Sequence, residues 1–299
     1  GGRDLGQFRR WYEQAGTPLL EISEVFEDNK LILQIEQSCK PTPGQERKLP
    51  FHVPIVLGLL DESGQELDLS KTELRCSMDT SLRDENRSLL LELREDATEI
   101  EFASFDRKPV VSFLRAFSAP VKLNYHREKE ETQFIARNDK DGFVRWDAMQ
   151  TLWLAAFDDP ALEEAPCEVV QETAIEALKA ENAEQKLLRA NMLSVPSELY
   201  LLEQLSDIDL DRTLNQRDDL LRKLAIDNRD TWLQVYETYE NDKAFSAEAD
   251  AVADRTLANL SFSYLIRGLL AEGKESDAVD LIDTRYCKSN NLTVRRNIL

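Results

Sequence analysis

Positive charge is what this sequence is short of. Its 299 residues hold 37 Lys and Arg against 57 Asp and Glu, a formal net charge of −20. Affinity for nucleic acid rests on cations that neutralise phosphates, so this balance points away from a nucleic-acid partner. It also disfavours an anionic membrane surface. No apolar run approaches the ~20 residues that span a bilayer, and no signal-peptide pattern opens the chain. Cysteine is sparse and scattered: Cys39, Cys76, Cys167 and Cys287 form no C-x-x-C pair. They read as reduced thiols of a cytoplasmic protein, with a Cys39–Cys76 disulfide as the less favoured alternative.

Chemistry-bearing motifs are missing too. There are two histidines, His52 and His126, so the H-E-x-x-H arrangement of a zinc hydrolase cannot be built. His126-Arg127-Glu128 matches the H-x-E half of a zinc deaminase, but Pro166-Cys167 lacks the second cysteine that would complete it. No G-x-S-x-G elbow and no glycine-rich phosphate loop occurs. Asn138 to Gly142 resembles the start of a calcium loop without its closing glutamate, and reads instead as a solvated turn capping the next helix. Carboxylate pairs such as Asp158-Asp159, Glu163-Glu164 and Asp218-Asp219 read as wetted helix faces. No catalytic, cofactor-binding or metal-ligating residue is therefore assigned.

What is present is a change of hydrophobic period. Up to about Arg127 apolar residues alternate between turn signals; beyond Ser118 to Gln150 the period becomes helical and stays so. About eight short strands are predicted, Leu31, Leu33 and Ile35 facing inward while Gln34 and Glu36 face water. They suggest a small antiparallel, Ig-like β-sandwich over residues 17–127. Residues 128–140 read as a charged linker. An all-α stack of helix hairpins, HEAT- or ARM-like, follows over 141–299, its first helix capped by Asn138 or Asp141. Its later helices are expected from Glu163 onward, one of them starting at Ile208, with Gly273 closing another.

Residues 1–16 read as one helix with Leu5, Phe8, Trp11 and Tyr12 on a single stripe. That stripe needs a partner, either the sandwich that follows or something upstream. The chain opens Gly1-Gly2-Arg3 without methionine, which favours the upstream partner and an excised piece. Trp11→Ala is then expected to change stability little.

Four segments carry a resemblance: FRRWYEQAGTP (Phe8 to Pro18), FSAPVKLNY (Phe117 to Tyr125), ARND (Ala136 to Asp139) with RWDAMQ (Arg145 to Gln150), and RTLANLSFSYL (Arg255 to Leu265). In this order and spacing they resemble the bacterial aminopeptidase N family of H-E-x-x-H zinc peptidases. The resemblance implies that residues 1–16 are the last helix of a catalytic domain absent here, followed by the sandwich as spacer. The helices would be the first part of a cap over the active-site cavity, with the chain truncated at both ends. It further implies a parent enzyme that uses zinc to release N-terminal residues from peptides, with its own catalytic domain as this segment's partner. None of that family's zinc ligands or catalytic residues has a matching position in this sequence. The competing reading is a free-standing protein-interaction module with no enzymatic role.

Overall fold

The structure is a computed structural model and describes residues 4–205, 209–241, 245–289 and 291–298. The chain forms two compact units, residues 1–148 and 149–299, each described by itself below.

The first unit is built on a sandwich of two sheets. Its strands are β1 Leu19–Glu27, β2 Lys30–Ser38, β3 Val53–Leu60, β4 Glu73–Cys76, β5 Thr80–Arg83, β6 Ser88–Leu93, β7 Ala97–Ala103, β8 Val110–Phe113 and β9 Lys122–Tyr125. One sheet runs β4-β7-β2-β1-β9 and the other β5-β6-β3-β8. The chain turns between β1 and β2 at Asp28 and Asn29, both at positive φ, which suits a two-residue hairpin whose twist matches the strands. Leu31, Leu33 and Ile35 of β2 are fully buried, and Val53, Ile55 and Leu57 of β3 meet them across the core from the other sheet. Gln34 and Glu36 are exposed, so the alternation read from the sequence holds. Two details differ from the expected pattern. β5 has no buried residue, and an edge strand without an apolar face leaves no period to detect. The β1–β9 pair is parallel, Leu19 beside Lys122, because the whole domain lies between them and a long connection permits it.

The N-terminal segment corrects the sequence reading. Only Arg10–Glu13 is α-helical (α1), preceded by turns from Gly6. Its inward stripe is not Leu5, Phe8, Trp11 and Tyr12 but Gln7, Arg10, Trp11 and Gln14, one face at i, i+3, i+4 and i+7. Trp11 packs on Phe51 with ring centroids 4.7 Å apart and donates its indole N–H to the His52 carbonyl at 2.9 Å. Gln7 donates to the carbonyls of Pro50 (3.2 Å) and Arg94 (2.6 Å), and Arg10 donates to Pro50 as well. Gln14 exchanges hydrogen bonds with the Leu49 backbone in both directions. The segment thus sits on the sandwich through this face, while Leu5 and Tyr12, at 57% and 84% exposure, point outward.

Residues 128–140 are a helix where a linker was expected: α2, Lys129–Asn138. Thr132, Ile135 and Ala136 are buried, a short apolar face that the surrounding charges obscured. α3, Gly142–Asp158, follows, and the boundary of the two units falls within it. Of the two candidate caps the structure uses Asp141, whose Oδ1 accepts the Val144 N–H at 3.0 Å; the Asn138 amide donates back to Phe134.

The second unit continues with α4 Glu164–Ala177, α5 Ala183–Met192, α6 Glu198–Gln204, α7 Leu210–Asp227, α8 Arg229–Tyr239, α9 Ala249–Ala271, α10 Glu275–Lys288 and α11 Leu292–Ile298. The expected start at Ile208 lies outside the described residues. α9 is the hub, packing against α5, α7, α8, α10 and α11. Being buried on most sides, it carries apolar residues around much of its circumference, including Leu257, Phe262, Tyr264 and Leu265. Tyr264 stacks on Trp232 at 4.3 Å with the planes 8° apart. Each ring's polar atom reaches a helix-end carbonyl: Trp232 donates to Leu224 at 2.9 Å and Tyr264 to Leu193 at 2.8 Å. Gly273, at φ +72°, ends α9, with Lys274 N–H returning to the Leu269 carbonyl.

The seat of the N-terminal segment makes a measurable difference. Trp11→Ala removes the Phe51 contact and a hydrogen bond to a backbone carbonyl, and should destabilise the first unit by about 2 kcal/mol. Urea unfolding followed by amide exchange within the β-strands measures it. A loss below about 0.5 kcal/mol would mean that the segment is not seated.

Candidate functional site

The most concentrated polar cluster of the first unit lies where β8 ends. Val110–Phe113 leads into Leu114, Arg115, Ala116 and Phe117, three of which (Leu114, Ala116, Phe117) sit at positive φ. Such backbone is uncommon for residues with a Cβ and persists only where the surroundings over-determine it. The over-determination comes from Arg115, a guanidinium 5% exposed inside the sandwich. Its Nε donates to Ser112 Oγ at 2.7 Å, and Nη1 reaches Glu66 Oε1 at 2.7 Å and Ser88 Oγ at 3.1 Å. Nη2 lies 3.8 Å from Asp139 Oδ1, an electrostatic pairing rather than a hydrogen bond. Gly58 of β3 makes the room: a Cβ there would stand 2.3 Å from the guanidinium carbon.

Asp139 and Asp141 tie the helices to this corner. Asp139 is 2% exposed, and burial pushes its carboxyl above the ordinary range despite hydrogen bonds from Ser112 and the Asp141 N–H and the nearby Arg115 charge. Asp141 divides its two oxygens, Oδ1 capping α3 and Oδ2 accepting the Ala116 N–H at 2.8 Å. A second charged cluster flanks α2. Arg127 lies 3.8 Å above the Tyr125 ring, donates to Glu131 at 2.7 Å and to the Val111 carbonyl at 2.7 Å. Lys108 bridges Glu131 and Glu24. Burial raises the Tyr125 hydroxyl well above its ordinary value. Neither cluster offers an accessible nucleophile beside a base, and the chemistry of both is anchoring.

In the second unit a recess of about 320 Å³ is lined by Tyr239, Glu240, Asp250, Asp254 and Arg255 among others. Its acidic side is neutralised from within: Lys186 reaches Asp254 at 2.7 Å and Asp250 at 3.6 Å. Arg285, itself 3% exposed, holds Glu240 at 2.7 Å.

The motif fragments noted in the sequence fall in different units. His126 follows β9 in the first unit, and Pro166-Cys167 lies in α4 of the second. Burial pushes the Cys167 thiol up to about 11, so it is not a ready nucleophile. All four cysteines are free. Of the carboxylate pairs, Glu163 binds Lys223 at 2.6 Å, Asp219 binds Arg222 at 3.1 Å, and Asp159 caps a short turn at Ala161. Among the described residues no group of three or more His, Cys, Asp or Glu could hold a metal ion.

Known proteins give this geometry a setting. A family described as a domain of unknown function, DUF3458_C, with ARM repeats, matches residues 129–299. A second, DUF3458, with an Ig-like fold, matches residues 16–126. The chain is 29% identical to aminopeptidase N of Escherichia coli over 300 residues, which is 97% of this chain and 32% of that protein. The figures for aminopeptidase N of Haemophilus influenzae are the same. Against aminopeptidase N of Caulobacter vibrioides identity is 32% over 263 residues, 86% of this chain and 28% of that one. In fold it is similar to the Legionella pneumophila aminopeptidase A crystallised with aspartic acid, with TM-score 0.75 and 20% identity. That likeness covers 99% of this chain and 33% of the other. The chain thus spans about a third of the length of the curated relatives it matches.

The Arg115 corner predicts an ordered set of effects. Arg115→Met strands Asp139 in the interior and should cost about 3 kcal/mol or more. Asp139→Asn, replacing a carboxyl that burial already disfavours as an anion, should cost less, about 1 kcal/mol. Chemical denaturation of the two variants measures both, and equal losses would contradict the assigned roles.

Proposed function

We propose a structural part in a zinc-dependent aminopeptidase for this chain, which belongs to the DUF3458_C family of ARM repeats. The observation that carries the proposal is the similarity to aminopeptidase N along 97% of the chain, against 32% of the relative. In this reading the sandwich is a spacer and the helical unit is part of a cap that limits how peptides reach a cavity. The chemistry resides in sequence outside this chain: a catalytic domain that is this segment's partner and that releases N-terminal residues from peptides. A cytoplasmic setting suits four free thiols.

The residues described here do not fit a zinc ion. His52 and His126 adjoin strands of different sheets, and no cluster of suitable ligands accompanies either. No catalytic step is therefore derived for this chain. What it supplies is shape: two separately cored units, the first carrying aromatic and aliphatic side chains outward from its N-terminal segment.

The purified chain should release no chromophore from an aminoacyl p-nitroanilide, with or without added zinc. Its zinc content by elemental analysis should stay far below one ion per chain. Zinc-dependent turnover by this chain alone would overturn the proposal.

A further inference from the structure

His52 is one of the residues on which the N-terminal segment sits, and its surroundings are unusual for a histidine. Its carbonyl takes the Trp11 indole N–H at 2.9 Å, and its ring stands edge-on to Phe8 with centroids 6.3 Å apart. Nε2 lies 3.2 Å from Glu92 Oε2, and the side chain is 14% exposed. That same carboxylate oxygen is held by Arg94 at 2.6 Å, so its charge is already matched. The Arg94 carbonyl in turn accepts from Gln7 of the segment at 2.6 Å. Nδ1 of His52 is buried with no hydrogen-bond partner.

We infer that His52 is a proton-operated release for the N-terminal segment: neutral, it lets Gln7 to Gln14 seat on the sandwich, and protonated it loosens them. Protonation puts a cation beside Arg94 and a donor on Nδ1 where nothing accepts. The groups that face the ring are Glu92 and Arg94 from the β6 side and Phe8 from the segment; of the segment's cations, Arg10 is engaged with the Pro50 carbonyl and Arg9 faces Glu13. Burial, then Arg94, oppose the proton, and Glu92 favours it; the net effect lowers the ring's proton affinity below that of a free histidine. Unseating the segment uncovers the ring and returns it toward its ordinary value. The unseated state therefore binds the proton more tightly, and acid favours it. The seating contribution is complete above the ordinary histidine pKa of about 6.5 and declines as pH falls below it. This inference does not depend on the functional reading above.

The chain has four tryptophans and two histidines, so selective indole-nitrogen and imidazole-carbon labels give few NMR signals. Trp11 is assigned through Trp11→Phe. On lowering the pH from roughly 7.5 to 5.5, the Trp11 indole proton should lose exchange protection several-fold, in step with the His52 titration. His126→Gln should leave that response intact and His52→Gln should abolish it. A Trp11 signal indifferent to pH, or one that responds as strongly in His52→Gln, overturns the inference. If His52→Gln does not fold, the wild-type titration decides. A His52 midpoint at or above about 6.5 refutes the release, and one below it that tracks Trp11 supports it.

Discussion

A buried guanidinium is costly without partners, and Arg115 draws its partners from much of the first unit, with Nη2 making no hydrogen bond and only the electrostatic pairing with Asp139. Desolvating such a charge is costly unless it is paired and hydrogen-bonded. Glu66 and Ser88 come from different loops and strands, Ser112 from the strand just before, and Asp139 from beyond α2. To meet them the chain accepts left-handed backbone at Leu114, Ala116 and Phe117 and a glycine at position 58. The corner is thus a tie between β-structure and the start of the helices, made by charge together with the Phe117–Phe143 ring contact at 5.0 Å. Asp141 extends the tie by serving α3 with one oxygen and the corner with the other.

The N-terminal segment is held by a different economy of contacts with the same logic. Gln7, Arg10, Trp11 and Gln14 all reach backbone groups of Leu49, Pro50, His52 and Arg94. The strap from Leu49 to His52 precedes β3 without lying in a sheet, so its carbonyls have no ladder partner and would otherwise need water. Side chains from the segment take that place at Leu49, Pro50 and His52, and Gln37 of β2 does so at Phe51. The arrangement explains why the apolar side chains of the same segment, Leu5 and Tyr12, are left facing outward.

These two devices also mark where the sequence was legible and where it was not. The inward alternation of Leu31, Leu33 and Ile35, the change to helical period, and a cap at Asn138 or Asp141, of which the structure uses Asp141, all follow from local pattern, because each depends on neighbours within a few residues. The seat of the N-terminal segment was not foreseen because amphipathic reasoning follows the apolar stripe, which the sequence reading gave to an upstream partner, and here the stripe that meets the sandwich is mostly polar. The Arg115 cluster was missed because its partners Glu66 and Ser88 lie 49 and 27 residues away. The one local sign was an arginine in a mostly apolar run, Val110 to Phe117. Helix α2 was read as linker because its charges outnumber its buried Thr132, Ile135 and Ala136.

The scarcity of cations and these devices belong together. Several of the limited Lys and Arg residues are committed to interior or half-buried pairs: Arg115 with Glu66, Arg127 with Glu131, Lys186 with Asp254, Arg285 with Glu240. A cation held in such a pair contributes little field at the surface, whereas the excess carboxylates are solvated there. Removing one interior cation would therefore change the net charge hardly at all, yet strand a carboxylate whose partner was chosen by the fold. Charge in this chain sets the joints from inside, while the acidic excess outside serves solvation.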